Sequence, residues 1–588
     1  MTWQQAKWLI LPAVAIGCAG TAPTASSGGF AIAFAAVSSE SGQTCSPTWN
    51  GTGTLPAGDQ PVDHLTLQWT NTETSKSGTA RVSAADVAGN GIWNVGAVPV
   101  TQALQLQVYA CTADNRVVSY GKGADFAIAD GGETTARVFM VPPGKLACTG
   151  SGGVGGMPQS ARAFAGGTAL ASGDAIVVGG ADKWEGGLAK ASVATDIYDY
   201  RLGQWRAGPT MRAPRLQPQV LPLDRTHVLV AGGAARLKDV QPLLPVTLFA
   251  PDDLSAAGEA KPAAEVIDIE AMPPVSAEVS TAIGTGARPL SAAAVAGDAV
   301  VFVGGMDPLG VGLATGTRVR GLAAIATGAG TSEALKLKAA RIQPNVLAYA
   351  DGTVVVWGGQ TSAKAADFGE IIAPGDTEGV ALIGSGDPVI LDPDAPAIGA
   401  AAVVLTEDKD TLTFFVTGGI PVGAIWATAT PSYIVVVNRA DHTAACKKVL
   451  LSDNSTLPGG VGVALTRLDG GFLLVSGGLL SLGKVTALAD DKGLRCQDDP
   501  QFANGCLVRG LVLLDPPGDL SGVQVTLKSQ TLDMGPHVGQ IALPLPVGAL
   551  LTGGLVGLPA SITEPFDPAA QLLSAPFADA VSQAACKL

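Results

Sequence analysis

Histidine, aromatic and charged side chains are all scarce in this chain. It has four histidines, 5% aromatics and 15% charged residues in 588 positions. So few imidazoles leave little material for His-based acid–base or metal chemistry. Cations are outnumbered, 36 Lys and Arg against 50 Asp and Glu, for a net charge of −14. Such a surface repels polyanions on average and carries no basic stripe with interleaved aromatics, so no nucleic acid is expected as a partner. An uninterrupted membrane-spanning run is missing as well. The stretch His537–Thr563 lacks Asp, Glu, Lys and Arg, but Pro544, Pro546, Gly553, Gly554 and Pro559 cut it into strands and turns.

Small and turn-forming residues are abundant. With 76 Gly, 39 Pro and 47% hydrophobic residues, the composition is that of many short strands and tight turns, an all-β chain. Its length exceeds one ordinary core, so several domains or one repeat architecture are expected.

The first residues have the form of a secretory signal. Lys7 precedes an apolar run, Trp8 to Gly17, that ends at Cys18. Ten residues are too few to span a bilayer. Val14, Ala15, Ile16, Gly17 and Cys18 resemble the lipobox of bacterial lipoproteins, with Ala15 where that family most often has Leu. The resemblance implies lipidation of Cys18, removal of residues 1–17, and a membrane anchor of several acyl chains. Ala19 leans towards the outer membrane of a Gram-negative bacterium by the same analogy. Residues 18–29 read as a flexible tether.

Export makes disulfides the default state of the remaining cysteines, at 45, 111, 148, 446, 496, 506 and 586. Cys496 with Cys506, and Cys45 with Cys111, are the candidate pairs. Cys148 and Cys586 could join the ends of everything between them, and spacing alone does not fix the connectivity. The number is odd, so one thiol is left over. Zinc is disfavoured because no CxxC is present.

Residues 30–147 alternate in stretches such as LTLQW (65–69) and LQLQVYAC (104–111), the pattern of a small β-sandwich, immunoglobulin-like or prealbumin-like. A Gly-rich linker, 148–157, follows. Beyond it GDAIVVGG (173–180) could be taken for a phosphate loop. The same design recurs, however, with doublets at Gly179, Gly232, Gly304, Gly358, Gly418, Gly477 and Gly553, each after four mostly apolar or small residues. A phosphate loop occurs once and leads into a helix. Arg162, Arg215, Arg288 and Arg341 stand 17, 17, 16 and 17 residues before their doublets, and turn pairs such as Gly173-Asp174 and Asp351-Gly352 precede most of the runs.

Together with Tyr198-Asp199, Trp205, Met211 and Arg215 in the first unit, and turn remnants at 391–394, 513–518 and 565–570, these units resemble kelch repeats over about 158–588. The resemblance implies a seven-bladed β-propeller of the galactose-oxidase type, with one four-stranded blade per repeat.

No catalytic constellation accompanies the repeats. His64, His227, His442 and His537 are separated in sequence, no Tyr precedes a His as in the copper radical oxidases that share the propeller, and neither Asp boxes nor a GxSxG elbow occurs. Asp490, Asp491, Asp498 and Asp499 cluster in the 488–506 loop, but Lys492 and Arg495 offset them and the spacing matches no calcium loop. The sequence thus points to a non-enzymatic lipoprotein without cofactor or metal, whose propeller loops bind an unidentified protein or glycan. A polysaccharide hydrolase or lyase and a structural protein of envelope assembly are the alternatives.

Overall fold

The computed structural model describes residues 27–36, 61–149 and 161–587, except 88–91, 100, 186–187, 235, 240–248, 252–263, 272–274, 280–287, 308–310, 360–368, 385–395, 422–430, 454–456, 458–459, 482–495, 499–504, 519, 556–569, 574–575 and 577–578. Cys18 and Cys45 lie outside these residues, as do the signal segment and most of the tether. The chain is all-β: strands dominate, and its three helices among the described residues span Ala84–Val87, Leu322–Ala326 and Asp579–Cys586. None of them is long and apolar enough to cross a membrane.

Two sheets form the N-terminal part. One has the order Ile92–Pro99, Ser27–Ala36, Glu133–Met140, the last pair running parallel. The other runs Lys76–Ser83, His64–Asn71, Thr101–Cys111, Val117–Ile128. Phe30 and Ile32 from the first sheet share one core with Leu65, Leu67, Leu106 and Val108 from the second. These are the period-two positions of the alternating stretches.

Each glycine doublet closes, or directly follows, the second strand of its own antiparallel sheet. In chain order these second strands are Ala175–Val178, His227–Ala231, Ala299–Gly304, Val354–Trp357, Thr411–Thr417, Leu473–Ser476 and Gly548–Thr552. The first strands before them are Gly166–Ala169, Gln219–Pro222, Ser291–Ala296, Asn345–Ala348, Ala401–Glu407, Ala464–Arg467 and Ile541–Leu545. The apolar runs are buried on both faces because alternate residues pack against different neighbours. Ile176 and Val178 join Val228 and Val230 of the second sheet, while Ala175 and Val177 join Leu550 and Leu572 of the seventh. The same alternation continues from second to third sheet and on to the sixth and seventh.

The doublets supply the seam. Both glycines are left-handed, φ 62° at Gly179 and 90° at Gly180, and a Cβ on Gly179 would strike the Arg215 carbonyl. The Gly180 N–H donates to that carbonyl at 2.8 Å. Equivalent bonds run from Gly305 to Arg341 (2.8 Å), Gly359 to Ala397 (2.7 Å), Gly419 to Gly460 (2.6 Å), Gly478 to His537 (2.8 Å) and Gly554 to Arg162 (2.9 Å). The seventh doublet therefore docks on the first repeat.

The arginines explain their fixed spacing. Arg341 donates to the Gly358 carbonyl of its own doublet at 2.5 Å and, through Nε and a terminal nitrogen, to Glu370 Oε1 at 3.0 and 2.7 Å. Arg215 likewise reaches the Gly232 carbonyl at 2.9 Å and Glu265 at 3.1 Å, and Arg162 pairs with Asp196. All six side chains are buried. Burial pulls the Arg162 and Arg215 guanidinium groups below their usual range, against the opposing charge of their carboxylates. Each acid faces the residue two before the doublet: Val177, Val230 and Val356 pair with Asp196, Glu265 and Glu370. At that register the other repeats have Thr317, Tyr433, Val512 and Gln571.

Two sequence expectations are corrected at the chain ends. Leu146–Cys148, placed at the end of the sandwich and the start of the linker, pairs with Ala570–Leu573 as the outer strand of the seventh sheet. Cys111 is bonded not to Cys45 but to Cys586, 475 residues away with a Cα–Cα distance of 5.8 Å. The C-terminal helix Asp579–Cys586 lies on the N-terminal sheet, where Thr66 Oγ1 donates to the Ala585 carbonyl (2.8 Å) and the Val117 N–H to Ser582 Oγ (2.7 Å). Spacing could not show this pairing, because it depends on where the chain's last turn comes to rest.

Two outcomes follow from these contacts. Arg341→Leu strands the Glu370 carboxylate in the interior and costs about 3–5 kcal/mol of stability, whereas the double variant Arg341→Leu/Glu370→Leu recovers most of it, as urea unfolding midpoints will report. Cys111→Ser lowers stability by roughly 2–5 kcal/mol and removes hydrogen-exchange protection from residues 579–587 before the repeat sheets lose theirs.

Candidate functional site

The first strand of each repeat enters beside the end of the second, as Gly166 opposite Val178 shows. The strand entries therefore gather at the doublet end of the sheets. There a cavity of about 420 Å3 draws lining residues from all seven repeats. One position per repeat forms its rim: Phe164, Gln217, Leu290, Gln343, Gly399, Gly462 and Gly539. All seven are left-handed, with φ of 55°, 50°, 57° and 50° at the four non-glycine residues. For a residue with a Cβ this conformation costs on the order of 1–3 kcal/mol and persists only where its surroundings enforce it.

The enforcement is visible in the backbone. The Gln217 N–H donates to the Phe164 carbonyl (2.8 Å), Phe164 to Gly539 (3.0 Å), Gly539 to Gly462 (3.2 Å) and Gln343 to Leu290 (2.9 Å). The Phe164 ring lies over Gly539, where a Cβ would collide with it. Three of the five amide side chains at the mouth tie neighbouring sheets together. Gln219 Nε2 donates to the Ser291 carbonyl (3.0 Å), Asn345 Nδ2 to the Ala400 carbonyl (3.1 Å), and Gln540 Oε1 accepts from Ser476 (2.9 Å). Gln217 and Gln343 use their amides in no such bond among the described residues, and Gln343 Oε1 is buried without a partner. The described lining has no ionisable side chain.

Long connections leave from the same end. Ala181–Glu185 and Leu188–Ala191, after the first doublet, form a four-stranded sheet with Arg236–Asp239 and Phe249–Pro251, after the second. The N-terminal sheets sit at the opposite end, where the hairpin turns are. Tyr120 donates to the Val547 carbonyl at 2.7 Å, Lys122 pairs with Asp469, and the Phe139 ring packs on Gly203. A second cavity, about 560 Å3, opens there between the polar face of Gln68, Gln105 and Gln107 and the residues Tyr200 and Pro546.

The four histidines do not converge. His64 is buried between Asp63 (2.8 Å) and the Cys586 carbonyl (3.0 Å), and His227 pairs with Asp224 in a hairpin turn. His442 occupies a left-handed turn position, and His537 lends its carbonyl to the Gly478 latch. No group of three His, Cys, Asp or Glu residues able to hold a metal occurs among the described residues. Most of the 488–506 loop lies outside them. Cys496 faces Val508 and Cys506 faces Asp498 across adjacent strands, two register steps apart, and the side chains of both cysteines lie outside the described set.

Asp174 is the one described carboxyl driven strongly upward. Desolvation by burial, reinforced by the Asp199 charge, lifts it to about 6, and Arg201 only partly opposes this. Its Oδ1 is buried without a partner. Asp174 belongs to a hairpin turn facing the N-terminal sheets, away from the mouth at the doublet end. Sequence reasoning missed both the acid partners of the arginines and the rim position. The rim lies two residues beyond each of the four arginines, so their spacing could have located it.

An acid whose pKa is higher folded than unfolded binds more protons when folded, so its contribution to stability falls as pH rises from about 4 to about 6. Asp174→Asn removes that loss, raising stability by about 3 kcal/mol at pH 8 and leaving it nearly unchanged at pH 4, measurable from denaturant midpoints at the two pH values. Comparison with known proteins gives no family: no protein-family model matches this chain, and no curated protein matches it.

Proposed function

We propose that this chain is a membrane-anchored extracytoplasmic lipoprotein whose kelch-like, seven-bladed propeller is a binding scaffold for a protein or glycan, not an enzyme. One observation carries the binding reading: the mouth takes an equivalent residue from every repeat, and its described lining offers amides and apolar groups without an ionisable side chain. Carboxylate-pair chemistry on a polysaccharide would need two acids flanking the substrate, and no acid lines the mouth among the described residues. The propeller reading is supported by the doublet seam that returns from Gly554 to Arg162, and by Leu146–Cys148 completing the last sheet. The disulfide between Cys111 and Cys586 fits an oxidising compartment.

Lipid on Cys18 would tether the N-terminal sheets, which contact the turn end of the propeller. The mouth and its loops then face away from the outer membrane of a Gram-negative cell. Full-length protein is expected to incorporate radiolabelled palmitate and to partition with membranes, and Cys18→Ser to lose both; a variant that stays in the membrane fraction refutes the anchor. Residues 27–588, immobilised, should capture a partner from envelope extracts or a polysaccharide panel without altering it. Chemical turnover of the captured glycan would favour the hydrolase or lyase reading instead.

A further inference from the structure

At the rim position the chain uses two kinds of residue. Gly399, Gly462 and Gly539 adopt the left-handed backbone without strain, whereas Phe164, Gln217, Leu290 and Gln343 adopt it against the preference of any residue with a Cβ. Shape alone is therefore served by glycine, and what the other four add is their side chains. Leu290 packs with Met306 and Ile342, and Phe164 covers Gly539. The amides of Gln217 and Gln343 have no partner within the described fold, and one of their oxygens is shut away from solvent unpaired. An unpaired buried acceptor is a standing cost, which is relieved when the amide turns into the mouth to meet a ligand donor.

Resting on the binding-scaffold reading above, we propose that the axial mouth is a pocket for an uncharged saccharide, held by the amides of Gln217 and Gln343, with the Phe164 ring as its apolar wall. The chemistry selects this class. A charged ligand would enter a described lining that offers no counter-ion. A purely apolar one would leave the two amides unpaired. Sugar hydroxyls both donate and accept, as an amide does, and the C–H face of a sugar ring suits an aromatic wall. The cavity, about 420 Å3, lies near the lower end of the ~300–1,000 Å3 usual for small-molecule sites, which suits one or two sugar rings.

The test uses full-length protein and a panel of neutral mono- to tetrasaccharides followed by titration calorimetry, with Gln217→Gly, Gln343→Gly and the double variant. Glycine suits the left-handed backbone, so these variants should melt at or above the temperature of the unaltered protein. The double variant should nevertheless bind the selected saccharide at least tenfold more weakly. Unchanged affinity in the double variant, or a fall in melting temperature that accounts for the lost binding, overturns the assignment. If no neutral saccharide binds while envelope extracts still yield a partner, the saccharide pocket is wrong and the scaffold reading stands. If neither binds, both fall.

Discussion

The hydrogen bond from the second glycine of a doublet to a carbonyl of the next repeat, present at six of the seven doublets among the described residues, is the contact on which the architecture depends. It requires two consecutive left-handed residues where the backbones of adjacent sheets touch, and a Cβ at the first of them would collide with the carbonyl that accepts the bond. Four mostly apolar or small residues precede the doublet because the strand ending in it is buried from both sides. The turn it makes brings the next first strand alongside. Strand burial, sheet stacking and the placement of the strand entries around one cavity all follow from that contact.

The arginine–carboxylate pairs reinforce the seam in some repeats and not others, and the two partners vary together. Asp196, Glu265 and Glu370 accompany Arg162, Arg215 and Arg341, whereas Val512 and Tyr433 stand at the acid's register in repeats with no arginine. This is what desolvation demands: either charge alone inside the protein is far more costly than the matched pair or an apolar replacement. In the third repeat, Arg288 remains with Thr317 at that register, and Arg288 is only half-buried. An arginine that keeps access to water does not need the acid.

Sequence patterns revealed the features set by contacts at constant separation. The doublets, the runs before them and the arginines 16 or 17 residues upstream are such features, and the all-β class follows from them. The acid partners were hidden because the connection between second and third strands varies: Asp196 lies 34 residues after Arg162, Glu265 lies 50 after Arg215, and Glu370 lies 29 after Arg341. The Cys111–Cys586 bond was hidden for the same reason on a larger scale. The rim escaped notice because Phe, Gln, Leu and Gly have no shared chemistry there, only a shared φ. Backbone conformation is the repeated element at that position, and a residue alphabet records it poorly.

The two ends of the repeat sheets thus divide the work. At the turn end, the disulfide and the C-terminal helix fasten the C-terminal segment to the N-terminal sheets, while Leu146–Cys148 completes the outer edge of the seventh sheet. Of these the disulfide alone removes freedom from the unfolded chain, and neither it nor the helix reaches the doublet end. That end is left with the long connections and a mouth whose rim holds non-glycine residues in a strained conformation. Strain of this kind survives only in rigid surroundings, and the backbone bonds between rim residues of adjacent repeats supply the rigidity. The rim backbone is thus ordered during folding, so that in the proposed site the cost of ordering it is not charged again on binding.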